Sequence, residues 1–245
     1  MLLHTGVQLD QISDPAIFNM VDHGLRGGVS MIVHRYANAN NPDIGQSYDA
    51  NQPLSYIVYL DANNLYGHAM SQPLPTGHFK WLTEEEWRLL DWKTIPDDAP
   101  KGYILDVDLE YPAQLHDRHN DNPLAPDKRQ MQYELLNEHQ LRILTHYNVP
   151  KSSLKVQKLV PHLGPRKAYI IHYRNLKFYL TEGMKLTAIH PVLEFTQSKW
   201  LAPYIKKNQD LRAAAKTDFE KNQPKLYNNA IYGKRCENQK KRSDI

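Results

Sequence analysis

The chain has 245 residues, 41% of them hydrophobic and 23% charged, with a formal net charge of +3. That supplies core for one large domain or two small ones, and no apolar run approaches the ~18 residues of a membrane-spanning helix. The lone cysteine, Cys236, excludes an internal disulfide framework and a cysteine-based zinc finger.

The N-terminus turns polar too early for a signal peptide, so the expectation is a soluble intracellular chain with no membrane partner. Val29–Arg35 follows the Gly27-Gly28 pair and is β-rich, which predicts a strand. Asn38–Pro42 reads as a loop. Leu54–Leu60 is β-branched and aromatic throughout and predicts a buried strand. Trp81, Trp87 and Trp92 are spaced for one helical face that covers a hydrophobic edge. Gly102–Glu110 alternates Ile104, Asp106 and Asp108 against Leu105, Val107 and Leu109, a half-buried strand. After a second loop at Asn120–Pro126, Pro126 and Asp127 open a helix predicted to reach Tyr147. Tyr169, Tyr173, Leu176 and Leu180 form a helical stripe that Gly183 can cap. Val192–Phe195 is a short strand; Tyr204, Leu211, Ala215 and Phe219 suggest helix, and Leu226–Tyr232 another turn or two. No repeat is visible. Strands lead and helices follow, interleaved once, which makes the fold class α+β.

The small net charge hides an asymmetry. Residues 205–245 carry eleven lysines and arginines against five acids, a net +6 that leaves −3 for the rest. A basic segment of this kind fits a polyphosphate or nucleic-acid contact, and also fits a solvated helical face.

Two segments carry chemistry. In Ser55–Pro75 a hydrophobic run ends in Asp61, followed at once by Asn63, Asn64, Leu65, Tyr66 and Gly67. A carboxylate at a strand end beside a tight turn can hold a hard cation, or it can simply satisfy turn amides. In Lys225–Asn238, Lys225, Asn229 and Tyr232 fall at i, i+4 and i+7 of a helix, with Lys221 one turn earlier. Stacked lysines repel unless an anion such as a triphosphate lies between them; otherwise they are two solvated side chains.

Together these segments resemble the first two polymerase motifs of family B DNA polymerases. Asp61-Ala62-Asn63-Asn64-Leu65-Tyr66 corresponds to the first, and Lys225 with Asn229-Ala230 and Tyr232-Gly233 to the second. Their order and 164-residue separation are similar to the protein-primed branch. The nearer resemblance is to polymerases of Polinton/Maverick transposons and related viruses. It extends through Arg26–Ser30, Arg35–Asn41, Asp108–Pro112, His119–Asp121 with Pro123–Pro126, and His172–Leu176.

The resemblance implies an antiparallel palm sheet with an α/β insertion and helical fingers. It implies residues 1–82 as the first part of the palm with Asp61 at its centre, and 83–199 as an insertion that grips a priming protein and duplex. Residues 200–235 become the fingers and 236–245 a truncated tail. The implied activity is DNA-directed DNA synthesis from dNTPs on a DNA template-primer, with a terminal protein as the source of the primer hydroxyl. Asp61 is the implied carboxylate for two Mg²⁺ ions. Tyr66, flanked by Asn64 and Leu65, stacks under the incoming sugar and excludes a 2′-hydroxyl. Lys225, Lys221 and Arg212 hold the triphosphate; Asn229 positions it; Tyr232 and Gly233 pack on the nascent base pair. Arg26, Gly27 and Gly28 stand at a template-contact motif, with Leu25 where the family has an aromatic.

The same resemblance marks departures. The family's third motif, an aspartate pair, is not found between Gly233 and Ile245, so these 245 residues are expected to have no polymerase activity of their own. A proofreading domain is not expected in the roughly 25 residues before Arg26 either. Pro224 directly precedes Lys225, and an interior proline costs a helix ~3 kcal/mol; the helix therefore starts or kinks there. Ala230 replaces a serine, and His68 stands where an aromatic is expected.

Two further clusters compete for attention. Asp106-Val107-Asp108 imitates a metal-binding pair, and His116, His119 and Asp121 have spacing that suits zinc or loop hydrogen bonds. A non-catalytic DNA-binding remnant and a metal-dependent hydrolase built on Asp61, Asp106 and Asp108 are the rival readings.

Overall fold

The computed structural model describes residues 1–235 and 237; Cys236, Asp244 and the rest of the basic tail lie outside the described residues. Its centre is a four-stranded antiparallel sheet. The strands are β1 (Leu74–Leu82), β2 (Lys101–Glu110), β5 (Arg166–His172) and β6 (Lys185–Ser198), in the order β1-β6-β2-β5. A two-stranded ribbon, β3 (Asp127–Arg129) with β4 (Lys158–Val160), stands apart from it. The helices are α1 (Leu2–Thr5), α2 (Pro15–Gly24), α3 (Leu65–Met70), α4 (Glu84–Arg88), α5 (His116–His119), α6 (Glu138–His146), α7 (Tyr173–Thr181), α8 (Ala202–Ala214) and α9 (Asp218–Arg235). The mixture of helix and antiparallel sheet is the α+β class expected.

The alternation in β2 builds the two faces of the sheet. Leu105, Val107 and Leu109 are sealed with Tyr169, Ile171 and Val192 beneath Tyr173 and Leu176 of α7. Each such fully buried side chain contributes roughly 1.5–3 kcal/mol. Ile104 and Ile170 face the other way, with Leu193, against Ile17 and Met20 of α2. Gly102 lies opposite Phe195, and a Cβ on Gly102 would run into that ring. A third cluster, Met70, Trp200, Leu201 and Ile205, ties α3 to α8.

Several sequence expectations are corrected. Residues 29–35 and 54–60 form no strand; within them only Ser55 makes a bridge, to Asn40. The three tryptophans do not share a helix: Trp81 is on β1, Trp87 on α4 and Trp92 in the turn after it, although all three pack on apolar clusters. The helix expected from Pro126 begins only at Glu138, because Asp127 pairs with Val160 in β3 and the capping box that starts the helix is Asn137–Gln140. Tyr169 belongs to β5, so the helical stripe starts at Tyr173. β6 extends well beyond Val192–Phe195.

His172 makes this packing pH-sensitive. Its Nδ1 accepts from the Arg174 N–H at 3.4 Å and caps α7, while its ring lies 4.7 Å from Tyr173. Burial, helped by the Arg174 charge, holds its pKa down at about 4, against an ordinary 6.5. The unfolded chain therefore takes up a proton near pH 6.5 that the folded chain refuses until about pH 4. Stability is expected to fall as pH drops through that window. His162, also held near 4 by burial, adds to the slope. Thermal melts between pH 7 and 4 test this: His172→Asn keeps a cap acceptor and is expected to flatten the slope, and an unchanged slope would refute the assignment.

Candidate functional site

The first motif begins at a pinned point. The Ser55 N–H donates to the Asn40 carbonyl at 2.8 Å, and Asn41 Nδ2 donates to the Ser55 carbonyl at 2.9 Å. From there to Ala62 the chain joins no strand among the described residues, and Tyr56, Tyr59 and Leu60 are 61%, 91% and 86% exposed. The run was expected to be a buried strand at the centre of a sheet. Its composition favours β structure, but β1, β2, β5 and β6 pair among themselves and leave it no described partner. Asp61, at its end, is exposed and has no hydrogen bond or ion pair among the described residues.

The turn that follows is tightly specified. Asn64 adopts the left-handed conformation (φ 57°), and its Oδ1 accepts from the Gly67 N–H at 3.3 Å, capping α3. A Cβ on Gly67 would occupy the space of that Asn64 side chain. Asn64 thus has a local role; Leu65 is exposed. Met70 anchors the other end of α3 in the third apolar cluster, which leaves Tyr66 facing α9.

The second motif lies on α9. The helix is capped by Thr217 Oγ1, which accepts from the Glu220 N–H at 3.2 Å, and it runs through Pro224, which is buried inside it. It therefore does not start at that proline. Asn228, also buried, accepts from Asn208 Nδ2 of α8 at 2.7 Å and fixes the rotation of α9. Lys225 and Asn229 then line an outward groove of about 510 Å³ with Phe219, Asn222 and Leu226. Tyr232 is carried onto Tyr66, ring centroids 3.9 Å apart and planes 18° from parallel.

The structure thus joins Tyr66 to Tyr232 and places Lys225 beside Asn229. It does not gather the rest. Lys221 turns to Asp218 at 3.8 Å. Arg212 is exposed in the last turn of α8, and Gly233 has open space where a Cβ would be. Arg26 is a structural clamp: its Nη1 donates to the Gly24 and Ile170 carbonyls at 3.1 and 2.6 Å, and its guanidinium lies 3.8 Å over the Tyr169 ring. Gly27 and Gly28 beside it are exposed. The Asn208–Asn228 latch has no signal in the sequence, since a buried asparagine pair looks like two surface residues.

The competing clusters are occupied structurally. His119 Nδ1 bonds the Tyr111 hydroxyl at 2.7 Å, His116 Nε2 bonds the Tyr111 carbonyl at 3.3 Å, and Asp121 pairs with His34 at 3.2 Å. Asp108 takes Lys167 Nζ at 2.6 Å, the Ala168 N–H at 3.0 Å and His190 Nε2 at 3.2 Å. These bonds, the Lys167 bond first, hold its pKa down at about 2. Among the described residues no three His, Cys, Asp or Glu side chains gather to hold a metal ion. The three-carboxylate hydrolase reading requires such a gathering of Asp61 with Asp106 and Asp108.

A comparison with curated protein sequences finds no match. Among solved structures the chain is similar to the phi29 DNA polymerase in its orthorhombic crystal form, with a TM-score of 0.49 and 14% identity. The likeness covers 96% of this chain and 34% of that one, so the chain spans about a third of that polymerase. The family model described as DNA polymerase type B, organellar and viral, matches residues 46–242. That match takes in most of the chain and both motifs, from Asp61–Tyr66 to Lys225–Gly233, and the chain belongs to this family of DNA polymerases.

Proposed function

We propose that these residues form the nucleotide-selecting part of a DNA-directed DNA polymerase. In this reading it adds dNTPs to a primer hydroxyl on a DNA template, the hydroxyl being supplied by a terminal protein. One observation carries the reading: Tyr66 and Tyr232, from motifs more than 160 residues apart, stack face to face beside the lysine-bearing groove of α9. An aromatic pair of this kind is a platform for a sugar and base, and an unpaired Lys225 next to Asn229 suits a triphosphate. The long separation between the motifs favours the protein-primed branch.

The donors present do not amount to a two-ion site. Asp61 is one carboxylate, and among the described residues no three His, Cys, Asp or Glu side chains gather to hold an ion. No step is therefore assigned to a metal, and the 245 residues alone are expected not to extend a primer. The basic stretch 205–245 keeps a second reading open, a DNA-binding remnant without nucleotide chemistry.

Titration with dATP as its magnesium salt, followed by tyrosine ring resonances, separates the two. The polymerase reading expects the Tyr66 and Tyr232 signals to move as nucleotide parts the stack, while those of buried Tyr103 stay still. Salt-dependent DNA affinity with unmoved tyrosine rings would favour the remnant.

A further inference from the structure

Asp106 and Asp108 sit two residues apart on β2 and have opposite fates. Asp108 is saturated by three donors. The Asp106 carboxyl receives no hydrogen bond among the described residues, and its Oδ1 is buried without a donor. An unpaired carboxyl in a folded protein calls for an explanation. Asp106 lines a pocket of about 320 Å³ where the end of α2 meets the sheet, near the small end of ligand-binding cavities (~300–1,000 Å³).

The other walls are of mixed chemistry. Ile170, cross-strand partner of Asp106, gives an apolar wall. Arg26 and Lys128 bring positive charge. The described hydrogen bonds of Arg26 both leave from Nη1, and Lys128 has no ion pair among the described residues. Asp127 also lines the pocket, with Arg129 at 3.5 Å from its carboxylate. Burial, and then the nearby Asp108 charge, raise the Asp106 pKa; His190 opposes them. The carboxyl is therefore poorly stabilised until something donates to it.

A ligand that satisfies these walls carries an N–H donor, a flat apolar body and an anion. We propose that the pocket takes one unpaired nucleotide, its base amino group donating to Asp106 and its phosphate lying on Arg26 and Lys128. Aspartate accepts from the cytosine 4-amino group, whereas uracil and thymine place an oxygen there and keep their one ring donor at N3. The choice of nucleic acid as the source rests on the polymerase reading above; the amino-base chemistry does not. The pocket is distinct from the groove of α9 that holds Lys225.

The decisive probes are dCMP and dUMP, titrated into the whole chain; they differ at the 4-position and at N3, where uracil carries the N–H. The amide signals of Ala168 and Ile170, both in the pocket wall, report where they bind. The expected result is about tenfold tighter binding of dCMP, lost in the near-isosteric Asp106→Asn, while Lys128→Ala weakens both nucleotides alike. Equal affinities, or a preference that survives Asp106→Asn, would overturn the proposal. A single-stranded oligonucleotide and dATP complete the design. If they bind and the dCMP preference is missing, the pocket falls and the polymerase reading stands. If they do not bind while the preference holds, the polymerase reading falls and the pocket stands.

Discussion

Lys225→Ala is expected to weaken dNTP binding by about ten- to a hundredfold, the range that follows from losing one hydrogen bond to a charged group at ~1.5–3 kcal/mol. Lys225 is exposed, has no ion pair among the described residues, and shares its groove with Asn229. No described residue competes for its charge, so the full interaction is available to a triphosphate. Lys221 differs, because Asp218 lies 3.8 Å away and must be displaced first. Lys221→Ala is therefore expected to cost less. Lys225→Arg keeps the charge but replaces a compact ammonium with a planar fork, and is expected to fall between wild type and alanine. Because the site is open to solvent, the loss on Lys225→Ala should shrink in high salt. Calorimetric titration with magnesium dATP at two salt concentrations measures it. Melting temperatures should stay level, since the side chain buries little. An unchanged dissociation constant in Lys225→Ala, with DNA affinity retained, would remove the triphosphate role from α9.

The sequence carried the local signals and missed the tertiary ones, and particular residues show the difference. β2 was legible because Ile104, Asp106 and Asp108 against Leu105, Val107 and Leu109 is a period-2 pattern with one apolar face. α9 was legible in part, since Lys225, Asn229 and Tyr232 fall on helical spacing; that the helix continues through Pro224 was not. The run 54–60 misled because β-branched and aromatic residues announce a strand without saying whether a neighbour exists to pair with it. Pro126-Asp127 misled because it imitates a helix start, while Asp127 pairs with Val160 instead. Arg26 stands in a template-contact motif; that it also bonds the Ile170 carbonyl, 144 residues away, leaves no local trace. Of the candidate site, Tyr66 and Tyr232 stand out by their motifs, but their stacking depends on Met70 and Asn228 being buried, which no spacing rule gives.

Arg166→Met is expected to destabilise the fold by about 3–5 kcal/mol, because it strips the donors from several buried carbonyls at once. Arg166 is completely buried and has no carboxylate partner among the described residues; it is held by backbone carbonyls. Its Nε donates to Ala125 at 2.6 Å, its Nη2 to Leu124 and His162 at 2.9 and 2.8 Å, and its Nη1 to Gly164. One guanidinium therefore closes the loop before β3 onto the loop after β4. Methionine fills the volume but leaves those carbonyls buried without donors, at roughly 1–3 kcal/mol each before relaxation. Arg166→Lys keeps the charge and cannot reach all the acceptors in the fork geometry, so it too should be destabilising, though less than methionine. Urea unfolding gives the free energies. A second readout comes from His162, whose Nδ1 lies 2.9 Å from Arg166 Nη1. Burial first, and then the Arg166 charge, keep the His162 pKa at about 4. In Arg166→Met that charge is gone and the opened loops admit water, so the His162 pKa should climb towards its ordinary 6.5. A folded Arg166→Met chain that loses under 1 kcal/mol and keeps His162 near 4 would mean that the loops hold their shape without the guanidinium.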